Sequence, residues 1–577
     1  MDFVGADGSA AGVVDAAAAV DSVITCSTCH NEATAMLDSV TFPSGVVLAG
    51  LGDEARCMIC HQGRESGVSV DALIAEAGVG DDEVSENLRF LNVHYAAAAA
   101  TQYGSFAIGG YQYAGMTYDA RFAHVPEYDT CFECHDSHSL EVKVEECTAC
   151  HTDVAGAEDL PNLRLVGSTV DYDGDGDVSE GIAFEIQGLQ EILGGALTAN
   201  GVVYNADAYP YFFDEAGERF AAWTPRLLRA AYNYQFSMKD HGAYAHGGKY
   251  IIQLLYDSIA DLDAALAEGL HRNDAGHFDG SSEAWRHWDE DGMVEADCAR
   301  CHSATGLPVY IHEGVNVEEP LSNGMLCTTC HDSYEGFTRY VVEAVEFPSG
   351  ATLAFESPDA NLCLNCHQGR QAGADIAAAI EGLDDDAASD SLRFLNVHYF
   401  AAGATLFGSE AAGVYEYPGQ EYVGRFAHVA GFDTCVSCHD AHALELNAES
   451  CSTCHAGVAD AAEIRISETD YDGDGDVEEG LAGEVATMTE ALYAAMQDYS
   501  AGIGNAVVYD GHAYPYFFNE AGERYAGWTP RLLRAAYNYQ YFQKDPGAYA
   551  HNGIYSVQVL YDAIADLGGD VSGMTRP

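Results

Sequence analysis

The sequence predicts a mainly irregular chain of loops and short α-helices, with little β-structure and an internal duplication. Three observations carry that expectation. All 18 cysteines fall in Cys-x-x-Cys-His runs set in Gly-, Asp- and Ser-rich sequence without apolar periodicity. The two halves repeat each other at an offset of about 300 residues. Clear helical patterns appear only late in each half.

In chain order the nine runs are Cys26/Cys29/His30, Cys57/Cys60/His61, Cys131/Cys134/His135, Cys147/Cys150/His151, Cys298/Cys301/His302, Cys327/Cys330/His331, Cys363/Cys366/His367, Cys435/Cys438/His439 and Cys451/Cys454/His455. Two thiols at this spacing form thioether links to one porphyrin, and the adjacent imidazole then faces the iron. A zinc ribbon or a redox-active dithiol also uses Cys-x-x-Cys. The histidine after every second cysteine decides for haem, and no cysteine is left over for a disulfide or a nucleophile. The count implies nine covalently attached haem c groups.

Arg89-Phe-Leu-Asn-Val-His94-Tyr95 returns as Arg393-Phe-Leu-Asn-Val-His398-Tyr399, and Arg121-Phe-Ala-His124-Val as Arg425-Phe-Ala-His428-Val. Trp223 to Gln235 returns unchanged at Trp528 to Gln540. The organisation read from this is a tetrahaem repeat at 1–265, a connector with one haem at 266–320 and a second tetrahaem repeat at 321–577. Leu307-Pro-Val-Tyr-Ile aligns with the opening Met1-Asp-Phe-Val, as in a five-haem unit whose first copy has lost its front end. Thr224 with Pro225, and Thr529 with Pro530, read as helix starts. Tyr250, Ile251, Leu254, Leu255, Ile259 and Leu262 have helical spacing suited to packing. Short strands are expected around Val40 to Leu48 and Val341 to Leu353.

Fourteen of the 23 histidines lie outside the runs. Eight of these recur between halves: His94 with His398, His124 with His428, His138 with His442, and His246 with His551. Four haems and four recurring histidines per half predict bis-histidine ligation, with His138 reaching a neighbouring haem. No methionine recurs in this way. For the connector haem the candidates are His271, His277, His287 and His312, with His277 favoured and His287 next. His241 and His512 do not recur and read as bystanders.

Asp171, Asp173, Asp175 and Asp177, and in the second half Asp470, Asp472, Asp474 and Asp476, follow the opening of an EF-hand loop with Gly176 or Gly475 at the sixth place. Position 12 is Ile182 or Leu481, so Glu185 and Glu484 are the expected substitutes. About two Ca2+ ions in a structural role are predicted.

With 91 acidic against 24 basic residues the formal charge is −67, which excludes nucleic acid and anionic membrane surfaces as partners. Cations, positively charged metal oxides and basic redox proteins fit it. No apolar run is long enough to span a membrane. The start lacks the basic and apolar regions of a signal peptide. Because haem is attached outside the cytoplasm, a processed or truncated form of an exported chain is expected.

The Cys-x-x-Cys-His-Asp-x-His run at 131–138, the Asp-Gly loops and His287-Trp-Asp-Glu-Asp-Gly ahead of Cys298 resemble stretches in the multihaem c-type cytochromes of bacteria and archaea. The general plan is similar to that of extracellular cytochromes that polymerise into conductive filaments, although those carry fewer haems per subunit and lack the duplication. The resemblance implies a multihaem cytochrome c architecture, a continuous file of stacked haems passing electrons end to end, self-association, and an extracellular or cell-surface site. A periplasmic or outer-membrane-conduit carrier is the first alternative. A reductase acting through one open haem is the second, and it would centre on the Cys298 site, whose distal ligand has no duplicate.

Overall fold

The computed structural model describes residues 4–5, 8–9, 14, 17, 24–125, 128–148, 150–164, 168–274, 276–334, 336–458, 460–465 and 467–577. Met1-Asp-Phe, on which the leader expectation and one end of the repeat alignment rest, lies outside them. Among the described residues most helices are single turns, and β-structure consists of five two-stranded antiparallel ladders and a few isolated bridges. This is the expected fold class. The predicted strands are two hairpins, β1 (Ser39–Thr41) with β2 (Val47–Ala49) and β3 (Val345–Glu346) with β4 (Thr352–Leu353).

The chain divides into two compact units, Met1–Thr338 and Arg339–Pro577. The connector and the Cys327–Cys330 run thus belong to the first. Three long helices organise the first unit: α1 (Ile182–Ala199), α2 (Pro225–Lys239) and α3 (Ala243–Leu262). The second has α4 (Leu481–Gly502), α5 (Pro530–Gln543) and α6 (Ala548–Asp566). No helix among the described residues is long and apolar enough to cross a membrane.

Helix α2 starts where its sequence dictates: Thr224 Oγ1 accepts from Leu227 N–H at 3.2 Å, and Pro225 fills the first position, where a missing N–H costs nothing. Thr529 caps α5 in the same way at 3.1 Å. On α3, Tyr250, Ile251, Leu254, Leu255 and Ile259 are at most 1 % exposed; fully burying each such side chain stabilises by roughly 1.5–3 kcal/mol.

The helices also bury amides that hold the irregular segments. Gln235 Oε1 accepts from Val93 N–H (3.0 Å), Asn233 brackets Tyr111 through its N–H and C=O (2.6 and 2.9 Å), and Gln253 Oε1 accepts from Asp119 N–H (2.8 Å). In the second unit Gln540, Asn538 and Gln558 do the same for Val397, Tyr415 and Val423. A loop left to itself cannot satisfy its backbone; these amides let loops pack against helices without orphaned N–H groups.

Candidate haem sites

Among the described residues no disulfide joins any of the 18 cysteines. Each run is wound as about one helical turn. The histidine N–H donates to the carbonyl of the first cysteine, for example His30 to Cys26 and His135 to Cys131 at 2.8 Å, and His61 to Cys57 at 3.0 Å. One turn brings residues three and four apart onto a common face, so the two thiols and the imidazole of a run point the same way.

The sequence reading treats the two thiols of every run alike, but in four runs they differ in exposure: Cys60, Cys134 and Cys454 are exposed beside half-buried first cysteines, and Cys330 is half-buried beside exposed Cys327. Cys301 is half-buried inside the helix Ala296–His302, so the connector run is a continuous helix and not a lone turn. Cys366 is half-buried just past the end of the helix Pro358–Leu364, where its N–H donates to Cys363 O at 3.2 Å. Cys454 makes the same turn onto Cys451 O at 3.2 Å, yet it is exposed while Cys451 is half-buried. None of Cys301, Cys366 and Cys454 is fully buried, and a thiol that takes a covalent link to a macrocycle has to remain within reach.

Backbone carbonyls orient several motif imidazoles, two of them through Nδ1. His302 donates to Ala284 O at 2.9 Å and His331 to Phe337 O at 2.8 Å, while His61 bonds the Ala96 carbonyl and His135 that of Leu140. Leu140 and Phe337 hold left-handed backbone (φ 63° and 49°), a strain kept only where the surroundings demand it. A bonded Nδ1 leaves Nε2 as the metal-facing atom. Burial pushes His61, His135, His151 and His439 below the ordinary imidazole value, which favours the neutral ring that ligation requires.

Five imidazole pairs face one another: His30 with His138 at 6.3 Å between ring centres, His151 with His124 at 6.0 Å, His135 with His246 at 6.2 Å, His455 with His428 at 6.3 Å and His439 with His551 at 6.3 Å. Two rings bound to one metal at about 2 Å per nitrogen, each with its centre about 1 Å further out, stand about 6 Å apart. The residues present therefore fit one iron between each pair.

His94 and His398 occupy matching positions beside the Cys57–His61 run of the first unit and the Cys363–His367 run of the second. Both are exposed, both hold left-handed backbone (φ 76° and 75°), and both N–H groups donate to the Asn two residues before. The next residue in each case, Tyr95 or Tyr399, stands 5.1 Å from the motif ring of His61 or His367. His442 sits in the same Asx turn as His138, its N–H bonded to Asp440 as that of His138 is to Asp136. The carbonyl of His277 accepts from Met325 N–H at 2.9 Å, which puts its backbone beside the segment entering Cys327. His287 is largely exposed and bonds Glu283. The ring of His302 is flanked by Trp288 at 5.3 Å and Trp285 at 6.4 Å.

Neighbouring runs abut within each unit. The sulfur atoms of Cys57 and Cys131 adjoin, as do those of Cys363 and Cys435. Cys29 lies within electrostatic reach of Cys60, Cys147 of Cys134, Cys150 of Cys327 and Cys451 of Cys438. In the first unit this links five runs in one file.

In the acidic loops Asp171 accepts from Gly174 and Gly176 N–H (2.7 and 2.8 Å), and Asp470 does so from Gly473 and Gly475. Asp173, Asp175 and Glu180 bring one oxygen each within 4.8 Å of the others, as do Asp472, Asp474 and Glu479; Asp171, Asp173 and Glu185, and Asp470, Asp472 and Glu484, form overlapping groups. Glu180 and Glu479, at position 10, escaped the sequence reading, although a glutamate stands there in both loops. Glu180 Oε1, Glu479 Oε1 and Asp472 Oδ2 are buried without a hydrogen-bond partner. Desolvation and the neighbouring carboxylates push Glu180 and Glu479 up to about 7 and Asp173 up to about 6, a repulsion that a bound cation relieves. Glu185 is also committed elsewhere: one oxygen accepts from Tyr172 and Asp173 N–H and the other pairs with Arg164. Asp177 and Asp476 stand outside all four groups and accept from the backbone of the following residues.

A family model described as cytochrome c7 and related cytochrome c matches residues 283–368. The C-type polyheme cytochrome OmcB of Geobacter sulfurreducens is 24 % identical over 412 residues, covering 56 % of this chain and 51 % of the relative. The C-type polyheme cytochrome OmcC of the same species is 24 % identical over 451 residues, covering 64 % and 55 %. The chain thus spans about half the length of the curated relatives it matches. No solved structure matches. Attachment runs, architecture and relatives agree: the chain is a multihaem c-type cytochrome that carries covalently bound haem.

Proposed function

We propose that the chain carries nine haem c groups, each held between two imidazoles, and relays electrons over distance at or beyond the cell surface. Haem bound in these runs supplies one-electron exchange at iron. The observation that supports the reading is the file of abutting runs with facing imidazole pairs, which gives eight of the nine runs a near neighbour and sets a second imidazole opposite five motif histidines. An iron with two protein ligands offers no place to a substrate, which favours transfer over catalysis. His94, His398, His442 and His277 complete the ligand set beside the five facing pairs, and the organisation follows 1–265, 266–320 and 321–577.

Calcium held by Asp171, Asp173, Asp175 and Glu180, and by Asp470, Asp472, Asp474 and Glu479, pins each acidic loop. The negative surface suits basic redox proteins or metal oxides, and end-to-end copies form a filament. A periplasmic carrier is the alternative. The test is haem quantitation with electron paramagnetic resonance and carbon monoxide titration, followed by electron microscopy of native material. Nine haems per chain, all low-spin and indifferent to carbon monoxide, are expected, together with filaments. One high-spin haem that binds carbon monoxide overturns the relay in favour of a catalyst, and single particles favour the carrier.

A further inference from the structure

One facing pair in each unit has a carboxylate behind it. Asp240 and Asp545 are only 3 % and 2 % exposed. Asp240 takes the Nδ1–H of His246 between its two oxygens at 2.9 and 3.0 Å, and Asp545 Oδ1 accepts from His551 Nδ1 at 2.8 Å. Across the same rings stand the motif histidines His135 and His439. Helices α3 and α6 break directly after the distal histidine, at Gly247 and Asn552. Burial opposes the charged form of Asp240, and the imidazole it faces keeps it below the ordinary carboxylate range. His124 lacks such support: desolvation and His151 push it down.

We propose that Asp240 and Asp545 are positioning residues that make the His135/His246 and His439/His551 sites the low-potential steps of their units. This rests on the reading of those imidazole pairs as axial ligands. A carboxylate accepting from Nδ1 raises the basicity of the same ring's Nε2, which stabilises the more highly charged oxidised iron. A buried negative charge acts in the same direction, since little water screens it. Reduction adds one electron to the site, and the Nδ1 proton stays on the histidine. The charge also reaches the adjacent run: Asp240 lies within electrostatic range of His61, and Asp545 of His367. The His61 and His367 sites are therefore biased the same way, more weakly.

The test is D240N and D545N, singly and together, in the full haem-loaded chain, with spectropotentiometric titration and electron paramagnetic resonance. Asparagine keeps an acceptor and removes the charge. Each single variant is expected to move one midpoint upward by a tenfold change in the oxidised-to-reduced ratio at fixed potential, about 59 mV for a one-electron couple. The haem stays low-spin with altered g values, and D240E restores the original titration. Low-spin Asn variants with an unmoved titration overturn the proposal while leaving the ligands intact. If H246A and H551A leave every haem low-spin, the ligand reading itself falls.

Discussion

In the first unit Tyr232 donates to Gly109 O at 2.9 Å, Asn233 brackets Tyr111, Gln235 holds Val93, and Arg226 and Arg229 share Asp261. In the second, Tyr537 donates to Gly413 O at 2.9 Å, Asn538 brackets Tyr415, Gln540 holds Val397, and Arg531 and Arg534 share Asp566. The units differ just beyond. Phe236 and Ser237 give way to Tyr541 and Phe542, α1 has 18 residues against 22 in α4, and Gly247 is replaced by Asn552. A Cβ at Gly247 would lie 2.6 Å from Thr101 O, whereas Asn552 has shifted and donates to Gly424 O. The comparison separates two kinds of position. Side chains that fix a loop backbone recur without change, because a different length or polarity leaves a buried N–H unsatisfied. Side chains that only fill space between helices drift, because volume can be regained by repacking.

Each shared device therefore has an internal control in the other unit. The largest expected effect comes from the buried pair Arg164–Glu185 and its counterpart Arg465–Glu484, whose carboxylates are fully buried. R164A and R465A each strand a carboxylate, which costs about 3–5 kcal/mol. Urea unfolding followed by circular dichroism should show equal losses. A large loss from one and none from the other breaks the equivalence of the loops. Calcium removal comes next. Occupancy at a hundredfold excess over the dissociation constant stabilises by about 2.7 kcal/mol. Chelation should lower the melting temperature, and calorimetric titration should count two calcium ions per chain. E180Q and E479Q should each abolish one. An unchanged melting temperature and no binding heat dismiss the metal.

The attachment runs were legible because covalent chemistry fixes their spacing locally, and Thr224-Pro225 because a cap acts within one turn. The duplication exposed the recurring histidines. Which rings face each other was not legible: His30 meets His138 across a path set by tertiary packing. Counting along an EF-hand pointed to Glu185, which groups with Asp171 and Asp173, but it missed Glu180, which the bend of the chain brings to Asp173 and Asp175. Nor did periodicity reveal Asn233, Gln235 or Gln253, since an amide on a helix face looks like any polar residue until its loop partner is known.

The smallest predicted effect is also the sharpest comparison, because the two caps share a geometry and differ in one neighbour. Thr224 Oγ1 accepts from Leu227 N–H, so T224A should cost about 1 kcal/mol, the usual loss of an N-cap. The hydroxyl of Thr529 meets Leu532 N–H and also the Tyr499 hydroxyl at 3.1 Å, and Tyr499 donates to Asp386 at 2.9 Å. T529A should therefore cost more than T224A, by about 0.5–1.5 kcal/mol for the added hydrogen bond. Replacing Tyr499 by Phe removes that partner without touching the cap. In a Y499F background the two threonine variants should lose equal stability by urea unfolding; a persisting gap would place the difference in the longer α4 and not in the hydroxyl pair.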